Sequence, residues 1–291
     1  MSRASADTSR TNVRTTVALP IRAWRAARVS VHVLGGIATQ TFVFPRVTTE
    51  RRRAITRQWC GRLLELMNVE ARVHGTIDAR RGNLLIVANH ISWLDIFVLN
   101  AQHASLFVAK SELADWPVAG RLIRGAGTLF IERARRRDTE RVNRCAADAL
   151  KAGDAIVVFP EGTTTDGLSL LPFKTSMLRV LEPAPPGVMV QPVLLEYGAV
   201  SEEIGWVGTE SGVDNAKRMM ARAGSFPVKV HFLEPFQPGD FPGRKAIAAE
   251  SRRRIEEALV AVLGHPLRPF AYDVAPVAYA APDRGAIAPP P

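Results

Sequence analysis

The sequence predicts an α/β fold, with a mainly parallel or mixed seven-strand sheet that is flanked by helices and preceded by an N-terminal helical segment. Short apolar runs alternate with longer amphipathic stretches over most of the chain, which is typical of a sheet covered on both faces. The chain has 291 residues, and 47% of them are hydrophobic. This is enough apolar material for one substantial core.

Four regions follow one another along the chain. Residues 1–19 are polar and basic, rich in Ser, Thr and Arg, and are predicted to be a disordered tail. Residues 20–69 are predicted to be helical and to associate with membranes, and residues 70–265 are predicted to form the α/β domain. Residues 266–291 are rich in Pro and Ala and are predicted to be a loosely held tail. An apolar stripe at helical spacing supports the helical region, and it consists of Ile55, Trp59, Leu63 and Leu66.

The predicted strands and helices of the α/β domain alternate in sequence. Apolar runs rich in β-branched residues predict strands at 70–74, 84–89, 106–109, 128–131, 155–159, 189–196 and 228–233. Amphipathic stretches predict helices at 92–101, 112–124, 138–151, 174–182 and 244–263.

The charge balance restricts the possible partners. The chain has 38 basic and 28 acidic residues and a net charge of +10. Such a surface attracts anionic lipid headgroups, nucleic acid or an acidic carrier protein. None of the familiar nucleic-acid motifs is present, so the sequence favours partners other than nucleic acid. The two cysteines, Cys60 and Cys145, form neither a disulfide framework nor a metal motif, and they fit a reducing compartment.

Val29–Phe44 is the longest apolar stretch before the predicted sheet. It is shorter than the eighteen or so apolar residues of a spanning helix, and polar residues interrupt it. Arginines flank it on both sides, and a short apolar helix with basic flanks is typical of a segment that lies in a membrane interface. An ordinary buried helix is the alternative. The flanking arginines are Arg22, Arg25, Arg28, Arg46 and Arg51–Arg53.

His90 and Asp95 are the most informative pair of residues. Both follow the predicted strand 84–89, at the edge of an α/β sheet where ligands bind. On a continuous helix, residues five apart point about 140° away from each other. The two side chains can therefore meet only if His90 lies in a turn and Asp95 in the first turn of a helix. That geometry suits a base whose imidazole is held by a carboxylate. The alternative is that Ser92-x-x-Asp95 is only a helix capping box.

Three further segments follow at successive predicted strand ends. They are Gly127-Thr-Leu-Phe-Ile-Glu-Arg133, Val158-Phe-Pro-Glu-Gly-Thr-Thr164 with Phe173-Lys174, and Val190-Gln-Pro-Val193. Together with Asn89-His90-x4-Asp95 they resemble the four ordered blocks of the glycerolipid acyltransferase family, and most of all its 1-acylglycerol-3-phosphate (lysophosphatidic acid) acyltransferases. The resemblance covers roughly residues 60–200.

The resemblance implies roles for individual residues. It implies His90 and Asp95 as the catalytic pair, Arg133 and Lys110 as cations facing an acceptor phosphate, and Pro192 on the acyl side of the pocket. Arg133 also opens an arginine-rich run that could be a solvated helix face. Lys174 is a further cationic candidate. The remaining residues implied in substrate binding are Gly127, Phe130, Glu161, Gly162 and Thr163.

The resemblance also implies the reaction. A fatty acyl group would move from acyl-CoA or acyl-carrier protein to the free hydroxyl of 1-acylglycerol-3-phosphate, giving phosphatidic acid, with His90 as general base and without a cofactor or metal. The enzyme would lie peripherally or monotopically on the inner membrane, with its active site facing the cytoplasm. Three alternatives stay open: an acyltransferase for another lyso-lipid such as lyso-ornithine lipid, a hydrolase that uses His90 and water, and a basic lipid-surface binding protein without activity.

Overall fold

The computed structural model describes residues 16–77, 83–111, 119–125, 128–131 and 136–272. Within these ranges the chain forms an α/β fold, as the alternating pattern predicts. The strands are β1 Val69–His74, β2 Leu84–Ala88, β3 Leu106–Lys110, β4 Leu129–Ile131, β5 Ile156–Val158, β6 Met189–Glu196 and β7 Phe226–Phe232. The α-helices are α1 Leu19–Ala38, α2 Thr49–Leu66, α3 Leu94–Gln102, α4 Ala119–Gly125, α5 Arg136–Lys151, α6 Ser201–Ile204, α7 Gly212–Ala221 and α8 Gly243–Leu263.

The seven described strands form one mixed sheet in the order β1-β7-β6-β2-β5-β3-β4. Every neighbouring pair is parallel except β6 and β7. Strand β2 lies in the centre, where Val87 is opposite Val158 of β5 on one side and Pro192 of β6 on the other. All five residues of β2 are buried, as expected for a strand covered on both faces. The prediction of a mainly parallel or mixed seven-strand sheet is confirmed.

Helices cover both faces of the sheet. On one face, Ile86 and Val157 pack with apolar residues of α2 and α3, including Leu63 and Val98. On the other face, alternate residues of the same strands pack with α5, α8 and the 3₁₀ helix Thr175–Leu181. The central strands are therefore fixed by packing from above and below, and each fully buried Leu, Ile or Val contributes about 1.5–3 kcal/mol.

The N-terminal helices differ in extent from the predicted apolar segment. Helix α1 begins at Leu19, ten residues before Val29, and a π turn at Thr39–Val43 follows it. Pro45 lies in a 3₁₀ turn, because its ring cannot continue a helix, and Thr48 then caps α2 by accepting a hydrogen bond from Arg51 N. In the described ranges, no helix has the length and apolar character needed to span a membrane.

Three other elements differ from the predictions. The segment predicted as an α-helix at 174–182 is the 3₁₀ helix Thr175–Leu181. Helices α6 and α7 were not predicted, although a signal for α7 is present. Ser211 accepts a hydrogen bond from Asp214 N at the start of α7, so Ser211-x-x-Asp214 is a capping box in sequence as well. Residues 112–118 of a predicted helix lie outside the described residues. Most of the predicted disordered tail, residues 1–19, lies outside them as well.

Candidate active site

His90 and Asp95 meet at the carboxyl end of β2. His90 lies in the turn two residues after the strand, and Asp95 is the second residue of α3. His90 Nδ1 lies 2.8 Å from Asp95 Oδ2. The two positions are those that the spacing requires, with the histidine in a turn and the aspartate in the first helical turn.

The Asp95 carboxylate is fully buried and accepts four hydrogen bonds. Its Oδ2 accepts from the backbone N–H of Ile91 at 2.7 Å and of Ser92 at 3.0 Å, in addition to His90. Its Oδ1 accepts from the Tyr197 hydroxyl at 2.6 Å. Asp95 therefore closes the turn before α3 through Ser92 N, as the predicted Ser92-x-x-Asp95 capping box does, and it also contacts His90, so both interpretations apply to the same carboxylate.

The turn is held by two other loops and by β6. His90 N donates to Glu161 Oε1 at 2.9 Å, and His90 O accepts from Thr165 N at 2.7 Å. Ile91 O accepts from Trp206 N at 2.9 Å. Before the turn, the Asn89 amide donates to Leu195 O at 3.0 Å and accepts from Leu195 N at 2.7 Å, which ties the end of β2 to β6. Because these buried polar groups are paired, the turn has one well-defined geometry.

The His90 ring combines a buried and an accessible nitrogen. The ring stacks on Phe159, with 4.0 Å between centroids and 12° between planes. The Asp95 carboxylate opposite Nδ1 places the ring proton on that nitrogen, which leaves Nε2 with its lone pair. The side chain is 18% exposed, and within the described part of the chain Nε2 has no hydrogen-bond partner. His90 is thus arranged to accept a proton from a molecule bound at this edge of the sheet.

Glu161 lies beneath the turn and not at the surface. It is 1% exposed, and its second oxygen accepts from Leu171 N at 2.9 Å. Burial raises the pKa of Glu161 to about 8, and the Asp95 charge adds to the increase although the two backbone donors oppose it. Gly162 has φ of +76°, a value that glycine adopts without strain. Thr163, next along the same turn, is partly exposed. Their predicted roles in acceptor binding stay predictions.

The other predicted residues are spread over the neighbouring strands. Lys110 ends β3, and Phe130 is the central residue of β4, partly buried, with its carbonyl accepting from Arg141 Nη2 at 3.0 Å. Gly127 and Arg133 lie outside the described residues. Pro192 is buried in β6 and pairs with Val87 of β2. Val87 lies three residues before His90.

Lys174 lies on the other side of the sheet from α3. It lines an apolar cavity of about 140 Å³ with Asn143 and Met177, between β2, β5 and α5. Cys60 is buried, and burial raises the pKa of its thiol to about 12, so the thiol stays protonated at neutral pH and is not a nucleophile.

Five further residues that the sequence patterns do not single out also surround the pair, and they are Tyr197, Phe159, Asn89, Thr165 and Trp206. A signal was present for two of them. Tyr197 directly follows the predicted strand 189–196, as His90 follows β2, and parallel strands end at the same edge of a sheet. Phe159 is the last residue of the predicted strand 155–159, beside β2 in the structure.

Comparison with known proteins places the chain among acyltransferases. A family model described as "Acyltransferase" matches residues 70–196. The lyso-ornithine lipid O-acyltransferase of Pseudomonas aeruginosa is 36% identical over 214 residues, which cover 72% of this chain and 80% of that protein. The corresponding protein of Rhizobium meliloti is 35% identical over 247 residues, covering 80% and 84% of the two chains. The 1-acyl-sn-glycerol-3-phosphate acyltransferase of Neisseria meningitidis is 39% identical over 147 residues, covering 50% and 56%.

A solved structure shares the fold. The crystal structure of the 1-acyl-sn-glycerophosphate acyltransferase of Thermotoga maritima matches with a TM-score of 0.64 and 22% identity, over 85% of this chain and 96% of that one. The arrangement of the mixed sheet and its helices is therefore that of a known acyltransferase structure.

Proposed function

The chain belongs to the acyltransferase family and is an O-acyltransferase, and from this premise we propose that it acylates the free hydroxyl of a lyso-lipid with acyl-CoA or acyl-carrier protein as donor. The observation that carries the proposal is the His90–Asp95 pair. One ring nitrogen of His90 is held by a buried carboxylate at 2.8 Å, and the other is left for a substrate.

The proposed reaction is a direct transfer. His90 Nε2 takes the proton of the acceptor hydroxyl as its oxygen attacks the thioester carbonyl. The imidazolium that forms is stabilised by Asp95, which keeps its own charge. When the tetrahedral intermediate collapses, the carbon–sulfur bond breaks and the departing thiolate takes the proton from Nε2. The products are the acylated lipid and a free thiol, and His90 returns to its starting state.

The acceptor headgroup is the finer part of the proposal. We favour a lyso-ornithine lipid, because the relatives with that name align over 62–80% of this chain and 72–84% of their own length. Lysophosphatidic acid is the second candidate. It is favoured by 39% identity to the Neisseria meningitidis enzyme over a shorter stretch and by Arg133 and Lys110, which suit a phosphate.

We further propose that the enzyme works peripherally at the cytoplasmic face of the inner membrane. Helix α1 supports peripheral membrane binding, because Leu19, Trp24, Val31 and Leu34 are each at least 60% exposed. Between Asp7 and Glu50 the sequence has arginines and no acidic residue. An exposed apolar face with basic residues is typical of a helix that lies in the headgroup region of an anionic membrane.

An acceptor and donor screen tests the proposed function. The purified full-length chain is mixed with lyso-ornithine lipid, lysophosphatidic acid or another lysophospholipid, each with acyl-CoA and with acyl-carrier protein. Thiol release and the acylated product are both measured, and the His90→Ala variant is the matched control. We expect acceptor-dependent thiol release with equal amounts of product, and the highest kcat/KM for lyso-ornithine lipid.

Each other outcome has a separate meaning. Thiol release without an acceptor would identify a hydrolase and contradict the transfer proposal. Preference for lysophosphatidic acid would contradict only the choice of headgroup, and the Arg133→Ala variant should then raise the acceptor KM more than the donor KM. No thiol release with any pair would leave a lipid-surface binding protein.

A further inference from the structure

The Asp95 carboxylate needs a partner on each oxygen because it is completely enclosed. Its exposed fraction is 0%. Oδ2 already accepts from His90, Ile91 and Ser92. Among the described residues, the hydrogen bond to Oδ1 comes from Tyr197 alone, at 2.6 Å. One side chain therefore determines how this half of the carboxylate is held.

Tyr197 reaches the site from another strand. It directly follows β6, which pairs with β2 in parallel, so the two strand ends lie side by side. The residue is 2% exposed, and its ring packs against Phe226 with 6.4 Å between centroids. Burial, and then the charge of Asp95, raise the pKa of the Tyr197 phenol well above its ordinary value. The hydroxyl thus keeps its proton and acts toward Asp95 only as a donor.

We propose that Tyr197 is a positioning residue for the acyl-transfer reaction, whose hydroxyl holds Oδ1 of Asp95 so that Oδ2 stays aligned with Nδ1 of His90. This inference rests on the proposed function, because it assigns Tyr197 an effect on the general base. The hydrogen bond does two things. It fixes the rotation of the carboxylate, and it withdraws negative charge from the oxygen that faces His90.

The second effect predicts a pH signature. A carboxylate that has lost a donor on Oδ1 concentrates more charge on Oδ2 and binds the imidazolium of His90 more tightly. Neutral His90 then forms only at higher pH. The acid limb, which is the low-pH side of the kcat/KM profile, therefore moves to higher pH. A loss of packing alone changes stability and leaves the limb in place. Among the described residues, the other ionisable groups near this network are Glu161, whose Oε1 accepts from His90 N, and Arg252, whose charge lowers the pKa of Glu161.

The test compares Tyr197→Phe with Phe226→Leu. The first variant removes the hydroxyl and keeps the ring, whereas the second removes packing against the same ring and keeps the hydroxyl. For Tyr197→Phe we expect kcat to fall about 10- to 100-fold, the usual cost of removing a group that orients a reacting side chain. We expect its acid limb to move up by roughly half to one pH unit, with acceptor KM within about twofold of wild type. Phe226→Leu should keep the wild-type limb. Both profiles are repeated in a Glu161→Gln background, so that titration of Glu161 is not mistaken for that of His90.

A second measurement strengthens the donor instead of removing it. The chain has three tyrosines, at positions 197, 272 and 279. With Tyr272 and Tyr279 replaced by Phe, 3-fluorotyrosine labels position 197 alone and makes its hydroxyl a stronger donor. The acid limb should then move to lower pH, opposite to the shift in Tyr197→Phe. This labelled protein keeps both the ring and the hydroxyl at position 197, so it still tests the inference if Tyr197→Phe does not fold.

Nuclear magnetic resonance separates this inference from the proposed function. In ¹⁵N-histidine-labelled protein, the His90 signals are assigned by their loss in His90→Ala, and their titration is followed in wild type and Tyr197→Phe. An upward shift of the His90 titration in the variant supports the inference even if no substrate pair gives turnover. An unchanged titration and an unchanged acid limb would overturn it, and acyl transfer by the wild-type protein would then leave the proposed function intact.

Discussion

The turn at residues 89–95 and helix α1 differ in how far their side chains are covered by the rest of the protein. In the turn, buried polar groups are paired, and Asp95 alone accepts four hydrogen bonds. In α1, Gly36 is the one buried residue, and Trp24 and Val31 are 65% and 71% exposed. The polar groups of the turn are therefore paired within the protein, whereas α1 leaves an apolar face exposed.

Polar contacts at its N-terminal end hold α1 on the domain. Val17 N donates to Ala221 O at 2.9 Å, and Arg25 Nη1 donates to Arg222 O at 2.6 Å, both at the end of α7. An aromatic row then connects the two regions. His32 of α1 stacks on Trp59 of α2 at 4.8 Å, and Phe97 of α3 lies 6.0 Å from both Trp59 and Trp93. The exposed helix is thus connected, through packing with α2 and α3, to the segment that carries His90 and Asp95.

The largest expected effect comes from removing the proposed general base in the turn. His90→Ala should lower kcat by roughly 10²–10⁴, the usual value of a general base. The fold should persist, because Asp95 still accepts from Ile91, Ser92 and Tyr197. Steady-state kinetics with the best substrate pair and a thermal melt provide the measurement. Near-normal turnover in a folded variant would rule out His90 as the base.

Asp95→Asn should affect both catalysis and stability. An amide offers one oxygen and one NH₂ group, so one set of donors around the side chain loses its acceptor. Turnover should fall roughly 10²–10⁴-fold because the His90 tautomer is no longer fixed. The free energy of unfolding should fall by about 1–3 kcal/mol because buried donors are left unpaired. Kinetics and urea unfolding test the two effects together, and a stability loss with normal turnover would reduce Asp95 to a helix cap.

The corresponding change in α1 should alter location and not chemistry. Replacing Trp24, Val31 and Leu34 by Ser should weaken binding to anionic liposomes by about 10²-fold or more, since burying such side chains is worth up to about 1.5–3 kcal/mol each. Turnover with detergent-dispersed substrate should change little. Flotation with liposomes at low and high salt gives the measurement.

The matched control for α1 is Val262→Ser in α8, where Val262 is 37% exposed. This variant should float as the wild type does. Equal flotation of the triple variant and the wild type would show that the α1 face does not bind membranes, and release of the wild type by salt alone would assign binding to the arginines only.

The last expected effect concerns stability alone, and it is a pH dependence that arises beneath the turn. Burial raises the pKa of Glu161 from its ordinary value of 4.5 to about 8, so between these pH values the folded chain binds more protons than the unfolded chain. Its contribution is complete below pH 4.5 and is lost as the pH rises through about 8. The slope can reach about 1.4 kcal/mol per pH unit. Glu161→Gln should flatten it, as measured by urea unfolding from pH 5 to 9 in both proteins, and parallel curves would show that Glu161 does not titrate in this range.

The local pattern of the sequence determined a large part of the fold. Apolar runs and amphipathic stretches are features of neighbouring residues, so they located all seven strands to within about two residues of their observed bounds. The five-residue spacing of His90 and Asp95 also predicted that His90 lies in a turn and Asp95 in the first turn of a helix, because the two side chains cannot meet on one continuous helix. It failed where local signals are weak, as in the 3₁₀ helix Thr175–Leu181 and the short α6.

Only the tertiary structure decided what surrounds the pair. The Tyr197 hydroxyl reaches Asp95 across 102 positions of sequence because β6 lies beside β2 in the sheet. Glu161 holds His90 N from 71 positions away, because β5 lies on the other side of β2. Strand order arises from the packing of the whole chain and not from any window of it. The residues that surround the pair could therefore be read from the sequence only as residues near strand ends, and their partners were set by which strands became neighbours.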